Sequence, residues 1–340
     1  MQNPPKPPAS HTPCKDRRIR WISRRSPGAQ RWSGGPAKIT LWNAPAAYEF
    51  WRSCRADFWP GPQLGWTTPE PETGLPLSRP LFAQHGEQDL WTFRRIRYGG
   101  HYADQICDVT VLNWPQVDYW LTPLIGVPAA ERAESFRRAR ELTLCFIYWM
   151  QTAAPRPDGG TGYPGLRLCP EVLGTQDGLA AAAYVRESHR IAAEFMVLET
   201  HVGVAARLGA DCAATFADTV GVGCYRIDLH PSTAGRGYLD IATYPFQIPL
   251  GALLPQRLDN LLAAGKCLGV IQITNGCYRL HPVEWNVDEA AGVVAAFCLN
   301  HRVTLRAVRN TPGRLAAFHR TLASMGVQLH WPEDIQTSVC

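Results

Sequence analysis

The apolar positions of this chain fall into blocks with distinct periods. Between Pro128 and Thr152, Phe136, Ala139, Thr143, Phe146, Ile147 and Met150 recur at steps of three and four, which predicts one long helix. Pro128 suits its first position, and Pro155 and Pro157 end it. Charged residues hold the opposite face only as far as Glu141, so the C-terminal half is expected to be buried on most sides. Arg314 to Met325 reads as a second amphipathic helix, and Glu289 to Leu299 as a helix of small residues. Tyr225, Ile227 and Leu229 alternate with Arg226, Asp228 and His230, the period of a strand with one polar face. Leu90 to Tyr98 and Asp108 to Leu112 are strand-like. Tyr238 to Leu250 reads as extended, and Pro245 and Pro249 favour an edge. Leu258 to Ala264, closed by Gly265, reads as a buried parallel strand. Residues 158–183 form a glycine-studded loop, and Tyr184 to Val204 is open between strand and helix.

Charge and proline divide the chain unevenly. Residues 1–38 hold seven prolines and no apolar period, so disorder is expected there. Residues 39–60 are aromatic enough to pack on a body, and 60–80 read as a Pro/Gly linker. Residues 1–40 carry nine bases against one acid, while the other 300 carry 25 bases against 28 acids. The net charge of +5 therefore belongs to the leader, and the body offers no basic patch for specific nucleic-acid binding. No run reaches the roughly 18 apolar residues of a membrane helix. Arg24-Arg25 is followed by Ser-Pro-Gly-Ala-Gln-Arg instead of an apolar core, so no export signal is read and a cytoplasmic setting is expected. The eleven cysteines are scattered without a C-x-x-C, which supports neither a metal site nor an iron–sulfur cluster and suggests reduced thiols.

The most informative block is NLLAAGKCLGVIQITNGCYRLHPVEWNVDEAAGVVAAFCL, residues 260–299, read as strand, glycine turn, polar loop and helix. Asn275-Gly276 within it is a hairpin signal. With DVTVLNWPQVDYWLTPLIGV (108–127), APRPDGGTGYPGLRL (154–168), YVRESHRIAAEFMVLETHVGV (184–204), YRIDLHPS (225–232) and PFQIPLGALLP (245–255), this block resembles the later part of FAD-dependent oxidoreductases. The similar proteins are the glutathione-reductase-like flavoproteins, grouped with those of the heterodisulfide reductase A-like type. The resemblance spans about residues 85–333.

The resemblance implies an α/β protein of α+β character: an incomplete Rossmann-like FAD-binding domain with a mixed-sheet substrate domain. It places the leader and linker at 1–80, the substrate domain at 81–256, and the returning strand and helix with a C-terminal helix at 257–335. It implies FAD contacts from Gly265 and Lys266 at the strand end and from Arg279 and Pro282 in the loop. Glu289, Ala290 and Ala291 would open the helix and complete those contacts. His281 in that loop is the first catalytic candidate. His230, with Asp228 two residues before it, is the second, because an Asp-x-His pair can orient an imidazole. Arg186 and Arg190 are candidates for binding an anionic substrate, although Arg186 can equally pair with Glu187.

Two departures stand out. The family's N-terminal glycine-rich turn, which cradles the pyrophosphate, has no counterpart after an apolar strand. Gly221-Val-Gly223, Gly159-Gly160 and Gly34-Gly35 read as loops. Asp288 also stands where the family pattern has glycine, before Glu-Ala-Ala-Gly. The expectation is a FAD-dependent oxidoreductase acting on an unknown small substrate, lacking its pyrophosphate-binding half and binding FAD only partly unless a partner chain, a second copy or a longer gene product supplies that half. The alternative is a non-catalytic remnant or interaction module.

Overall fold

The computed structural model describes residues 16–17, 21–24, 43–83, 89–102, 107–187 and 189–340. Helices and small sheets are mixed, as in an α/β protein, and the chain forms two units. One is Met1–Arg186 with His230–Tyr238, and the other is Glu187–Leu229 with Leu239–Cys340. The boundary expected at 256/257 falls inside the second unit, where Ala263 N–H donates to Leu253 O across it.

The first unit is built on the helix Ala129–Thr152. Leu142, Cys145, Phe146, Ile147 and Met150 on its C-terminal half have no exposed surface, as the loss of its polar face predicts. Burial pushes the Cys145 thiol up to about 12. Trp66 packs edge-on against Trp149 at 4.6 Å, and its indole N–H donates to Pro155 O at 2.9 Å. Residues 60–80 are therefore more than a linker: Leu64 and Trp66 are core, and Thr67–Pro69 pairs with Pro76–Ser78. The helix Tyr48–Ser53 likewise carries Trp51 into this core.

The disorder expected over 1–38 falls mainly outside the described residues. Two of its segments are strands: Asp16–Arg17 pairs with Tyr184–Val185, and Trp21–Arg24 lies between Asp108–Val111 and Arg167–Leu168. Leu90 to Tyr98 begins as a helical turn, Leu90–Phe93, because the Asp89 carboxylate accepts from Thr92 N–H at 2.5 Å. Only Arg95–Arg97 is strand.

In the second unit the helix His281–His301 packs on the strand Thr219–Gly223, which pairs with Phe246–Pro249. Gly221-Val-Gly223 is thus a strand and not a loop. A Cβ on Gly223 would lie 2.5 Å from the Phe246 ring, and one on Gly221 would lie 3.2 Å from Asn286 Cβ. Leu258 to Ala264 forms no strand; Leu258 and Leu261 are exposed. The parallel pairing sits further on, as the single bridge Val197–Val270.

Residues 191–197 run between two neighbours, with a bend at Glu194–Phe195. On one side Ile191 N–H donates to Cys267 O (2.9 Å) and Val197 N–H to Gly269 O (2.9 Å). On the other Glu194 N–H donates to Leu254 O (2.8 Å) and Phe195 N–H to Gly251 O (3.1 Å). Gly269 permits this approach: a Cβ there would sit 2.3 Å from Ala193 Cβ and 2.5 Å from Phe195 O.

Charge ties the helix Leu305–Asn310 to the same ribbon. Arg309 Nε meets Asp218 at 2.7 Å and its Nη1 meets Glu194 at 3.1 Å; Arg306 also pairs with Glu194. Asp218 accepts Gly251 N–H at 2.9 Å as well. The eleven thiols read as reduced are corrected at one pair: Cys224 and Cys340 form a disulfide. Tertiary folding brings them to a Cα separation of 6.0 Å across 116 positions, a proximity that spacing cannot reveal. Among the described residues no helix is long and apolar enough to cross a membrane.

Two glycine substitutions should act in opposite directions. G269A is expected to destabilise by about 3 kcal/mol through overpacking. G292A sits in a helix interior with nothing within 4 Å of the new Cβ, and should stabilise by about 0.5–1 kcal/mol. Urea denaturation of both variants checks this; a G269A as stable as the parent would show that the ribbon does not depend on the pinch.

Candidate functional site

The strand Ile227–Leu229 pairs antiparallel with Leu239–Ile241, and the intervening residues His230–Tyr238 count with the first unit. Asp228, the expected partner of His230, faces elsewhere. The Arg279 guanidinium donates to Asp228 O at 2.5 Å and lies 3.2 Å from its carboxylate. His230 instead has its Nδ1 3.0 Å from Asp118 Oδ2, with 5% and 0% of the two side chains exposed. Tyr238 packs on the imidazole with ring centroids 4.8 Å apart. Asp118 follows the turn Pro115–Val117, itself held by Gln63, whose amide donates to Gln116 O at 2.6 Å. Sequence reasoning missed Asp118, which lies 112 positions from His230. The only available signal was its place inside one of the strings carrying the resemblance. A buried carboxylate beside a buried imidazole is an arrangement that proton-handling histidines use.

The residues assigned to the cofactor have other occupations. The block 265–301 contains a turn, Gly265–Cys267, then a helix, Gln272–Tyr278, and then the helix His281–His301. Asn275-Gly276 is therefore helical, not a hairpin. A Cβ on Gly276 would lie 3.1 Å from Asp228 N, so its role is close packing. The final helix begins eight residues before Glu289. Glu289, Ala290 and Ala291 thus lie in its interior, and Ala290 and Ala291 are in the apolar core. Arg279 is 2% exposed and committed to Asp228. Pro282 is exposed on the first turn. Gly265, at φ +52°, starts its turn with the N–H donated to Asp288 Oδ1 at 2.6 Å. Lys266 follows in that turn, half-buried.

His281 is largely exposed, with Nδ1 3.5 Å from Glu284. Arg186 is buried over the Tyr184 ring at 5.7 Å, and Arg190 is half-buried in the second unit. Cys277 is fully buried, and burial raises its thiol well above the ordinary range, as expected of a structural cysteine.

One glycine spacing escaped the sequence reading. Gly160-Thr-Gly162-Tyr-Pro-Gly165 has the letters of a dinucleotide turn. It follows the helix Ala129–Thr152 and leads into the strand Arg167–Leu168, the reverse of the strand–turn–helix order that aims amides at a pyrophosphate. Gly162, at φ +72°, is needed because a Cβ would lie 2.5 Å from Gln151 O.

Residues 46–322 match the family described as FAD dependent oxidoreductase, and the chain belongs to that family. The match begins well before the strings recognised above and takes in the helix at Tyr48 and the Trp66 region. No curated protein and no solved structure matches the chain. The family implies FAD. The residues described here do not make a complete cradle for it, because the amide, guanidinium and helix positions assigned to it are taken up by Asp288, Asp228 and the core. Among the described residues no group of three or more His, Cys, Asp or Glu is placed to hold a metal ion.

The Asp118–His230 contact is expected to show a coupling energy of about 1–3 kcal/mol in a D118N/H230Q double-mutant cycle read by denaturation. Additive single variants would deny the contact any energetic role.

Proposed function

We propose that this chain is the substrate-side portion of a flavin-dependent oxidoreductase, transferring hydride to or from a small molecule. The observation that carries the reading is the family match over 46–322, which spans both the Asp118–His230 pair and the helix His281–His301. Dehydrogenating a carbon–heteroatom bond releases a proton as well as a hydride. Asp118–His230 is the pair with the chemistry to accept that proton, Asp118 holding the ring and His230 carrying the charge. Arg190, half-buried in the second unit, suits an anionic substrate group. FAD is held jointly, by this chain and by a different partner chain that supplies the pyrophosphate site. Purified chain mixed with FAD should retain no stoichiometric flavin after gel filtration. Tight one-to-one retention, seen in the visible spectrum, would overturn the joint site.

A second reading, an interaction module without FAD, draws on one surface. Trp285 is 73% and Leu299 79% exposed, on the same face of the helix as Asp288 and Gly292, and Leu258 and Leu261 are exposed as well. Large exposed apolar side chains favour association. Sedimentation should show concentration-dependent association, weakened in W285S. A monomer at all concentrations would remove the surface from both readings.

A further inference from the structure

Residues 323–340 lie beyond the family match, and the last dozen of them form a strap on the second unit. At its start Thr219 Oγ1 donates to Leu329 O (3.1 Å), and the His330 ring meets the Gln247 amide at 2.9 Å. The Trp331 indole N–H is shared between Gly223 O (3.1 Å) and Phe246 O (3.2 Å), the ends of the two paired strands. At residue 340 three bonds converge. Cys340 N–H donates to Thr243 O at 2.8 Å, Arg226 Nη1 donates to Cys340 O at 3.2 Å, and the sulfur is joined to Cys224. Arg226 is itself fixed by Asp240 at 2.6 Å.

Between these anchors the strap has little else to hold it. Residues 332–335 and 337–339 are exposed, and no residue from 331 to 340 belongs to the apolar core. A few part-buried hydrogen bonds offset only part of the entropy of ordering ten residues. The covalent link keeps the far anchor at high effective concentration. Cys224 is the exposed member of the pair, open to an incoming thiolate.

We propose that the Cys224–Cys340 disulfide is a redox-operated fastener for the strap, opened by a dithiol reductant. A thiolate of the reductant attacks the Cys224 sulfur and forms a mixed disulfide, and the Cys340 thiolate leaves and takes up a proton. The reductant's second thiol then displaces Cys224, which also ends as a thiol. Two electrons and two protons pass to the protein, and the reductant ends as its own disulfide. The freed strap lifts from Gly223 and Phe246 and uncovers the recess beneath Trp331 and Gln336, which Cys212 lines.

Differential alkylation with peptide mass analysis and cleavage after Glu333 by a glutamate-specific endoproteinase test this on the full chain, with and without dithiothreitol. Cys224 and Cys340 should be protected from alkylation until reduction. Cleavage after Glu333 should then accelerate about tenfold, following the open population. Amide-exchange protection in the helix His281–His301 should stay unchanged, separating strap release from unfolding. C340S and C224S should each cleave at the reduced rate and ignore reductant. Free Cys224 and Cys340 in the unreduced protein, equal cleavage in both redox states, or loss of helix protection on reduction would each overturn the proposal.

Discussion

The architecture of the second unit depends on a place where no side chain fits. Gly269 passes against Ala193 and Phe195 so closely that even a methyl group would overlap both. Because it passes, residues 191–197 can bond on one side to 267–269 and on the other to 251–254. The Arg306, Arg309, Glu194 and Asp218 cluster then clamps the outer edge of that ribbon. Each arginine in the cluster has carboxylate partners, so the half-buried charges are not left uncompensated.

Glycine serves packing again at the strand Thr219–Gly223. Gly221 and Gly223 let a helix lie flat on a two-stranded sheet, and the helix residue Asn286 donates to Val222 O at 2.7 Å. The chain therefore uses glycines for helix–strand contact, with no described turn that follows a strand and directs amides to a phosphate. The same economy governs Arg279. A guanidinium this deeply buried requires a fixed anion, and Asp228 provides it. That demand is what separates Asp228 from His230 and leaves the imidazole to Asp118.

The long helix, its buried end and the last amphipathic helix were legible from period alone, because each buries one face along its own length; the strand before His230 was legible too, although its polar positions Asp228 and His230 are buried as well. The family was legible from ordered strings. The site was less so. Leu258 to Ala264 has strand-like composition, yet the close pass at Gly269 places the parallel pairing further along the chain. Asn275-Gly276 has hairpin letters, yet Asp228 packs against Gly276 within a helix. Gly160 to Gly165 has the letters of a nucleotide turn and went unread, and its neighbours occur in the wrong order for one.

By itself, the sequence determined which segments must hide a face, where the basic charge resides, and to which family the chain belongs. Those properties depend on residues close together or on long ordered strings. Only the tertiary structure decided that Asp118 meets His230, that Asp228 meets Arg279, that Asp288 takes the Gly265 amide, and that Cys340 closes on Cys224. Each of these pairs is made across more than twenty residues of chain, by side chains whose competing partners are indistinguishable until packing and burial fix the distances.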